Sequence, residues 1–364
     1  MLESHMPSSP LVDLERYIYA APFASAPAKA KELWEALSHE HPLVMVHQPG
    51  FWFRAYEKHV EVSYASLDTL WWAAYCYTML SANRTSQQQQ TEFTSLILEA
   101  PAARDAIDRY RWFLHRLHEE RDAPWPAGAP KPTIIEDDSP EHYATEFFLV
   151  ALAWVLHHEF GHLLLHRPID TSIPTKVREW QADAHATRWL LDGTADPPVR
   201  RKLFVGACIA LGFLGARRPP TEESYTHPSP YDRLECILQN ATPEDEEPAY
   251  AAALDVLLTN WAVNGNDTWL QADDGNFKEL FFAFGRALRK ETQDTWVRID
   301  AQAGLLYEHF VRGTIDEADQ RQLAYILWEE RGRPLGSPEH DWYQAERMFR
   351  QCRWSIFLKE AEKQ

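Results

Sequence analysis

The longest apolar stretch of the chain lies near its middle and predicts a helix that is buried on nearly all sides. Ten consecutive apolar residues run from Phe147 to Leu156, which is too short for a membrane span, since that takes about 20 residues. Ser139 and Pro140 precede the run as a candidate N-cap and first helical residue. Pro168 marks where the helix should stop. The pattern therefore predicts one long central helix.

Other segments have the periodicity of further helices and of a small sheet. Helices are predicted over about residues 29–37, 66–82, 102–117, 174–193, 199–216, 231–239, 250–260 and 277–290. Three short β-prone segments lie at Leu43–His47, Phe51–Tyr56 and Val60–Tyr64, with a turn between the first two. We therefore predict an α+β protein that is mostly α-helical, with a small N-terminal antiparallel sheet.

The same patterns predict three parts of the chain. Residues 1–25 are predicted to be a flexible lead-in, although Leu14–Tyr19 could form a short helix. Residues 26–290 would form the main domain, with its core at residues 140–240, and residues 291–364 would form a C-terminal helical module. We expect the main domain to carry the chemistry.

Composition and charge exclude some classes of partner. The formal net charge of −18 argues against a nucleic-acid backbone as the main partner. The N-terminus has no apolar signal core, and no run reaches transmembrane length, so no membrane partner is expected. The four cysteines form no C-x-x-C pair and indicate the reduced thiols of a cytoplasmic protein. Any metal ligands should therefore be nitrogen and oxygen atoms.

An H-E-x-x-H motif, with His158, Glu159 and His162, lies at the end of the predicted central helix. Residues four apart share one face of a helix, so the two imidazoles could bind one zinc ion. Glu159 could then take the proton of an attacking water molecule. A buried helix normally avoids polar groups, so His-His-Glu at its end needs partners, which a metal ion would supply. The predicted cofactor is Zn²⁺.

The next predicted helix carries two acidic residues four apart, Glu179 and Asp183. Glu179 could be the third zinc ligand, and Asp183 could accept the second ring N–H of a ligand histidine. Alternatively, both belong to a solvated face together with Lys176 and Arg178. His185 is the rival third ligand, although it lies off the face that carries Glu179.

Two further histidines lie close to the motif. His157 is on another face of the helix from His158 and has no acid at the offset that a second H-E-x-x-H would need. His166, four residues beyond His162, could lie near the site. The favoured interpretation is that His166 interacts with the dipole at the end of the helix.

H-E-x-x-H followed by E-x-x-A-D resembles the gluzincin peptidases of the CAAX-protease and HtpX-like type. A third element agrees, since His227-Pro228 is followed, six residues after the histidine, by Arg233. The resemblance implies a zincin-like helical core with Glu179 as the third zinc ligand. It also implies that His227 stabilises the transition state and that Arg233 is the partner of Asp183.

The position of the motif in the chain is also similar to that in the Lit-like phage-exclusion peptidases. That resemblance implies a bacterial cytoplasmic protease that is dormant until phage infection and then cuts a host protein. The C-terminal segment, with L-W-x-x-R-G-R-P at residues 327–334 and D-W…A-E-R at residues 341–347, resembles a small bacterial domain of unknown function. It would be either a packed helical hairpin or a partner-binding module.

The predicted function is therefore a soluble zinc endopeptidase that cuts a protein substrate. One alternative is a zinc-stabilised interaction protein without turnover that acts through its C-terminal module. Glu159 argues against it, because a structural zinc site needs no general base. Another alternative is a metallohydrolase that acts on non-peptide substrates, which the spacing of the motif leaves open.

Overall fold

The computed structural model describes residues 9–37, 42–56, 59–88, 101–120, 124–166, 175–216, 227–264 and 277–288. The chain divides into two units, Met1–Thr292 and Gln293–Gln364, and all described residues belong to the first. The predicted C-terminal module, its two motifs and Cys352 lie outside the described residues.

The described elements follow one another along the chain, after a short 3-10 helix at Pro10–Leu14. They are α1 (Glu15–Ala24), α2 (Ala30–Ala36), β1 (Leu43–Val46), β2 (Phe53–Ala55), β3 (Val60–Ser63), α3 (Tyr64–Gln88), α4 (Pro101–His118), α5 (Pro140–Leu165), α6 (Thr175–Leu191), α7 (Pro197–Gly215), α8 (Pro230–Leu238), α9 (Glu246–Val263) and α10 (277–288). The α+β, mostly helical class that the sequence predicts is confirmed.

The sheet is mixed, and the prediction of a purely antiparallel sheet was wrong in this respect. Its strand order is β1-β3-β2, so the third strand lies in the middle. β2 pairs antiparallel with β3, and Tyr56 N–H donates to His59 O at 2.8 Å next to the paired strands. β1 pairs parallel to β3, with Leu43 opposite Val60. Among the residues that the structure describes, β2 is therefore an edge strand of this sheet.

The N-terminal segment from Ser9 onward is helical and packed, so the prediction of a flexible lead-in over residues 1–25 was wrong there. Ser9 caps the 3-10 helix by accepting a bond from Leu11 N–H, and its hydroxyl donates to the buried carboxylate of Asp68. Leu11 and Ile18 are fully buried, and α1 packs against α5. Pro22, inside α1, hides this helix from a pattern-based prediction because proline is rare in helix interiors.

The central helix α5 organises the core. It begins at Pro140, capped by Ser139, whose side chain accepts a bond from His142 N–H at 3.1 Å. It packs against α1, α3, α6 and α7. By length and composition α5 as a whole could cross a membrane, although its uninterrupted apolar run is shorter. Most of its apolar stretch is buried inside the protein, as in the core helix of a soluble protein.

Candidate active site

Three side chains from α5 and α6 converge on one point. The Nε2 atoms of His158 and His162 lie 3.2 Å apart, and each lies 3.4 Å from a carboxylate oxygen of Glu179. A tetrahedral ion with bonds of about 2.0–2.1 Å separates its ligand atoms by about 3.3–3.4 Å. The distance between the two Nε2 atoms is close to this value, and the two histidines approach different oxygens of the same carboxylate. One ligand atom from each of the three residues lies within 4.8 Å of the other two, so these residues could hold a metal ion.

A close approach of the two helices makes this convergence possible. Gly161, inside the H-E-x-x-H motif, faces Ala182 of α6. A Cβ atom added at Gly161 would lie 3.2 Å from the Cα atom of Ala182 and 3.3 Å from the ring of His185. Small residues at this crossing bring α6 close enough for Glu179, about one turn before Ala182, to reach the histidines.

Behind His158 lies a buried chain of charged groups. Nδ1 of His158 is 2.9 Å from Oδ1 of Asp183. The carboxylate of Asp183 also accepts two hydrogen bonds from Arg233, one on each oxygen, at 2.8 and 2.7 Å. The three side chains are at most 6% exposed. Burial favours the neutral form of Asp183, but Arg233 and His158 outweigh it and lower the pKa of this carboxyl. His158 can therefore donate its Nδ1 proton to a carboxylate and present a free lone pair on Nε2.

The electrostatic environment at the point of convergence favours positive charge. Burial alone would lower the pKa of His158, but hydrogen bonds to Asp183 and Glu179 raise it to about 9. Burial alone would raise the pKa of Glu179, but its bonds to the two histidines hold it well below its usual range. The same negative surroundings that favour a protonated imidazole would attract a metal cation.

Glu159 reaches away from these atoms toward the edge of the sheet. Its Oε2 atom accepts a hydrogen bond of 3.1 Å from the backbone N–H of Ala55 in β2. The pKa of Glu159 is raised, because burial outweighs the attraction of His158 and His162. A carboxylate with a raised pKa is a better proton acceptor, which suits a general base.

His227 lies at the mouth of the site, just before α8. Its Nε2 atom is 3.4 Å from an oxygen of Glu179, and its side chain is 44% exposed. Ser229 caps α8 by accepting a bond of 3.1 Å from Asp232 N–H. The structure thus brings His227 beside the three convergent side chains, while Arg233 of the same segment lies behind them.

A cleft of about 340 Å³ opens over this group of residues, a size that suits the binding of a small ligand or a few peptide residues. It is lined by Phe53, Arg54, Ala55, His158, Glu159, His162, His166, Thr175, Arg178, Glu179 and His227. Arg54 and Arg178 were not predicted as site residues. β2 contributes backbone as well as side chains to this cleft, and the backbone contribution has no signal in the sequence.

Of the other histidines near the motif, two lie behind the site. His157 donates from Nε2 to the carbonyl of Pro22 at 2.9 Å and stacks on Trp189. Burial lowers the pKa of His157 to about 3, so its ring is neutral. The ring of His185 packs against Trp189, and its atoms lie outside the group of convergent ligand atoms. His166 instead contacts His162, with the two Nδ1 atoms 3.0 Å apart.

With this geometry in view, comparison with known proteins identifies the chain as a peptidase, a hydrolase that cuts polypeptides. A family model described as Peptidase U49 matches residues 60–253. Because the match covers more than half of the chain, the protein belongs to the Peptidase U49 family. The matched range includes β3, the two helices α5 and α6 that carry the site, and His227.

A curated relative carries the name "Cell death peptidase" and comes from Escherichia coli (strain K12). It is 24% identical over 285 residues, which cover 75% of this chain and 95% of the relative. A second family model, of a protein of unknown function (DUF2934), matches residues 321–351, outside the described residues. No solved structure matches the chain.

Proposed function

We propose that this protein is a zinc-dependent endopeptidase of the bacterial cytoplasm that cuts a protein substrate during phage defence. The observation that carries the proposal is the convergence of two imidazole nitrogens and one carboxylate, with Nε2 of His158 and of His162 each 3.4 Å from an oxygen of Glu179. The chain's place among the peptidases supports the type of reaction. The name of the Escherichia coli relative supports a role in the death of the host cell.

In this proposal His158, His162 and Glu179 hold the ion and leave one position open, as catalytic zinc sites do. When bound, zinc polarises the scissile carbonyl group and makes the attacking water more acidic. Two nitrogen atoms and one carboxylate oxygen are a usual ligand set for such an ion. Cys76, Cys208 and Cys236 have free thiols and do not belong to the group of convergent ligand atoms, so a ligand set without sulfur is consistent with them.

Glu159 acts as the general base. It takes a proton from the attacking water and passes the proton to the leaving amine. The N–H of Ala55 holds one of its carboxylate oxygens, so the other oxygen is available for this transfer. Burial raises the pKa of Glu159, so this carboxylate holds a transferred proton more readily than an exposed carboxylate does.

His227 and the edge strand β2 contact the substrate. His227 donates a hydrogen bond to the oxyanion that develops on the scissile carbonyl. Pro228 and Pro230 flank Ser229 and stiffen this segment. β2 is an edge strand whose three residues line the cleft, so an extended peptide can add to it as a further strand. We place these functions in a peptidase domain that includes α1, because α1 packs against α5, and that extends to residue 290, and we propose residues 291–364 as a separate module.

The test compares Glu159→Gln with His158→Ala and with a matched control, Glu146→Gln. Glu146 is on the same helix α5, but its side chain is 41% exposed and pairs with Lys202 at 2.8 Å. We expect the wild type, Glu159→Gln and Glu146→Gln to bind one zinc ion per chain, and His158→Ala to lose it. Cleavage should fall by about a hundredfold to ten-thousandfold in Glu159→Gln and stay unchanged in Glu146→Gln.

The two readouts are the metal content of the purified protein and new protein N-termini in extracts of uninfected and phage-infected Escherichia coli. A wild-type protein that binds no zinc would overturn the metal assignment. Full cleavage by Glu159→Gln would overturn the assignment of the base. Loss of zinc from Glu159→Gln would show that Glu159 is a ligand, which the mechanism above excludes.

A further inference from the structure

Behind His162, on the side away from Glu179, two further residues form a chain of contacts. Nδ1 of His162 lies 3.0 Å from Nδ1 of His166, and Nε2 of His166 lies 2.9 Å from Oε1 of Gln181. His166 is 5% exposed, whereas Gln181 is exposed on the outer face of α6. Each ring nitrogen of His166 therefore has a partner, and the chain runs from the surface of α6 to a residue of the site.

The orientation of the Gln181 amide, with its oxygen toward His166, determines where the protons of this chain lie. The amide oxygen of Gln181 only accepts, so Nε2 of His166 must carry the proton. In a neutral imidazole the other nitrogen then has a lone pair, and Nδ1 of His166 can only accept. Nδ1 of His162 must therefore donate, which leaves a lone pair on its Nε2 atom, the atom that faces Glu179.

We propose that His166 and Gln181 are positioning residues that fix the tautomer of His162 and so keep its Nε2 atom free for a metal ion. This inference rests on the proposed zinc site. It gives the two histidines different supports: Nδ1 of His158 lies 2.9 Å from the carboxylate of Asp183, and His162 donates to a neutral imidazole. The hydrogen bond to a metal-binding imidazole sets its orientation and its basicity, so both supports contribute to affinity.

The opposite order of protons shows why Gln181 matters. If its amide NH₂ group donated to His166, the Nδ1 proton of His166 would point at His162. His162 would then carry its own proton on Nε2, where it would oppose a cation. Gln181→Glu removes this possibility, because a carboxylate can only accept. Gln181→Leu removes the partner altogether and leaves both tautomers of His166 open.

The experiment measures zinc affinity by competition with a chromophoric chelator, for the full chain and four variants. We expect His166→Phe to bind zinc about tenfold to a hundredfold more weakly than the wild type, the range typical for loss of a partner behind a ligand. Gln181→Leu should lose several-fold in affinity, and Gln181→Glu should equal or exceed the wild type. His142→Phe is the matched control, since His142 lies about 24 Å before His158 along the same helix, and this variant should bind zinc normally.

A second readout does not depend on the metal. Nitrogen-15 NMR of the metal-free protein should show the proton of His162 on Nδ1 in the wild type and in Gln181→Glu, and a mixture of tautomers in Gln181→Leu. A proton on Nε2 of His162 in the wild type would overturn the inference. So would equal zinc affinities of Gln181→Leu and Gln181→Glu, two surface variants that test the chain even if His166→Phe does not fold.

The two proposals can fail separately. If the wild type binds no zinc, the proposed function fails, and the tautomer of His162 still tests the chain of hydrogen bonds. If the wild type binds zinc and a folded His166→Phe binds it within about twofold, only the present inference fails.

Discussion

The site has a closed side and an open side, and they are built from different kinds of contact. On the closed side, His158, Asp183 and Arg233 are 5%, 2% and 6% exposed and are linked by short contacts between charged groups. On the open side, His162 is 22% exposed and His227 is 44% exposed. The closed side cannot rearrange without leaving a buried charge unpaired, whereas the open side can exchange its contacts for those of a substrate.

This difference separates two tasks that one site must perform. Groups on the closed side are fixed when the protein folds, so their electrostatic effect on a bound ion requires no later reorganisation. Groups on the open side, including the edge strand β2, must remain accessible to a polypeptide. We therefore expect substitutions on the closed side to affect both folding and metal binding, and substitutions of open-side residues that are not ligands, such as His227, to affect turnover.

The largest effect should come from Glu179, where the two sides meet. Glu179→Ala removes a proposed ligand and should weaken zinc binding by far more than the tenfold to hundredfold that is typical of residues behind the ligands. His185→Ala, six residues further along α6, should bind zinc like the wild type. Zinc titration of both variants distinguishes them, and the reverse ranking would transfer the role of third ligand to His185.

The closed side should be most sensitive to loss of Arg233. Arg233→Met leaves the carboxylate of Asp183 buried without its bidentate partner and should lower the free energy of unfolding by about 3–5 kcal/mol. The double variant Asp183→Asn, Arg233→Met removes both charges and keeps an acceptor for His158, so it should recover part of this loss. Urea denaturation of the metal-free proteins measures both, and equal stability of Arg233→Met and the wild type would contradict the argument.

How much of this could be predicted from the sequence depends on how local the contacts are. The helical spacing of His158 and His162 is encoded within one turn, so the motif predicts that they share a face. The pair of Arg233 with Asp183 spans 50 residues and could be suggested only by a family resemblance. The hydrogen bond from Ala55 to Glu159 involves a backbone group, which carries no sequence signal at all.

The sheet and the N-terminus show the same limit. A Pro-Gly turn between the first two β-prone segments predicts a hairpin, but β2 pairs with β3 and β1 joins on the other side. Tertiary packing decides such pairings. The contact of His166 with His162 was also missed, because its direction depends on Gln181 of the next helix.

On the open side, His227→Ala should lower kcat by about a hundredfold or more, because a donor to the oxyanion stabilises the transition state more than the ground state. Zinc content and KM should change little, and so should the free energy of unfolding, because the side chain is 44% exposed. Steady-state kinetics on an identified substrate, with metal content measured on the same sample, tests this. An unaltered kcat would remove His227 from the mechanism.

The smallest of the four effects concerns Asp183, where metal binding and folding are hardest to separate. Asp183→Ala should weaken zinc binding by about tenfold to a hundredfold, because His158 loses the acceptor that orients its ring. The same change leaves Arg233 buried and unpaired, so the protein should also become less stable, and weak binding alone could reflect unfolding.

The double variant Asp183→Ala, Arg233→Met resolves this ambiguity: it removes the unpaired charge and should recover stability, but it cannot restore the acceptor behind His158. Zinc affinity measured by chelator competition should therefore stay low in the double variant while its resistance to urea improves. If affinity recovered together with stability, Asp183 would serve only the fold, and the closed side would have no direct influence on the metal.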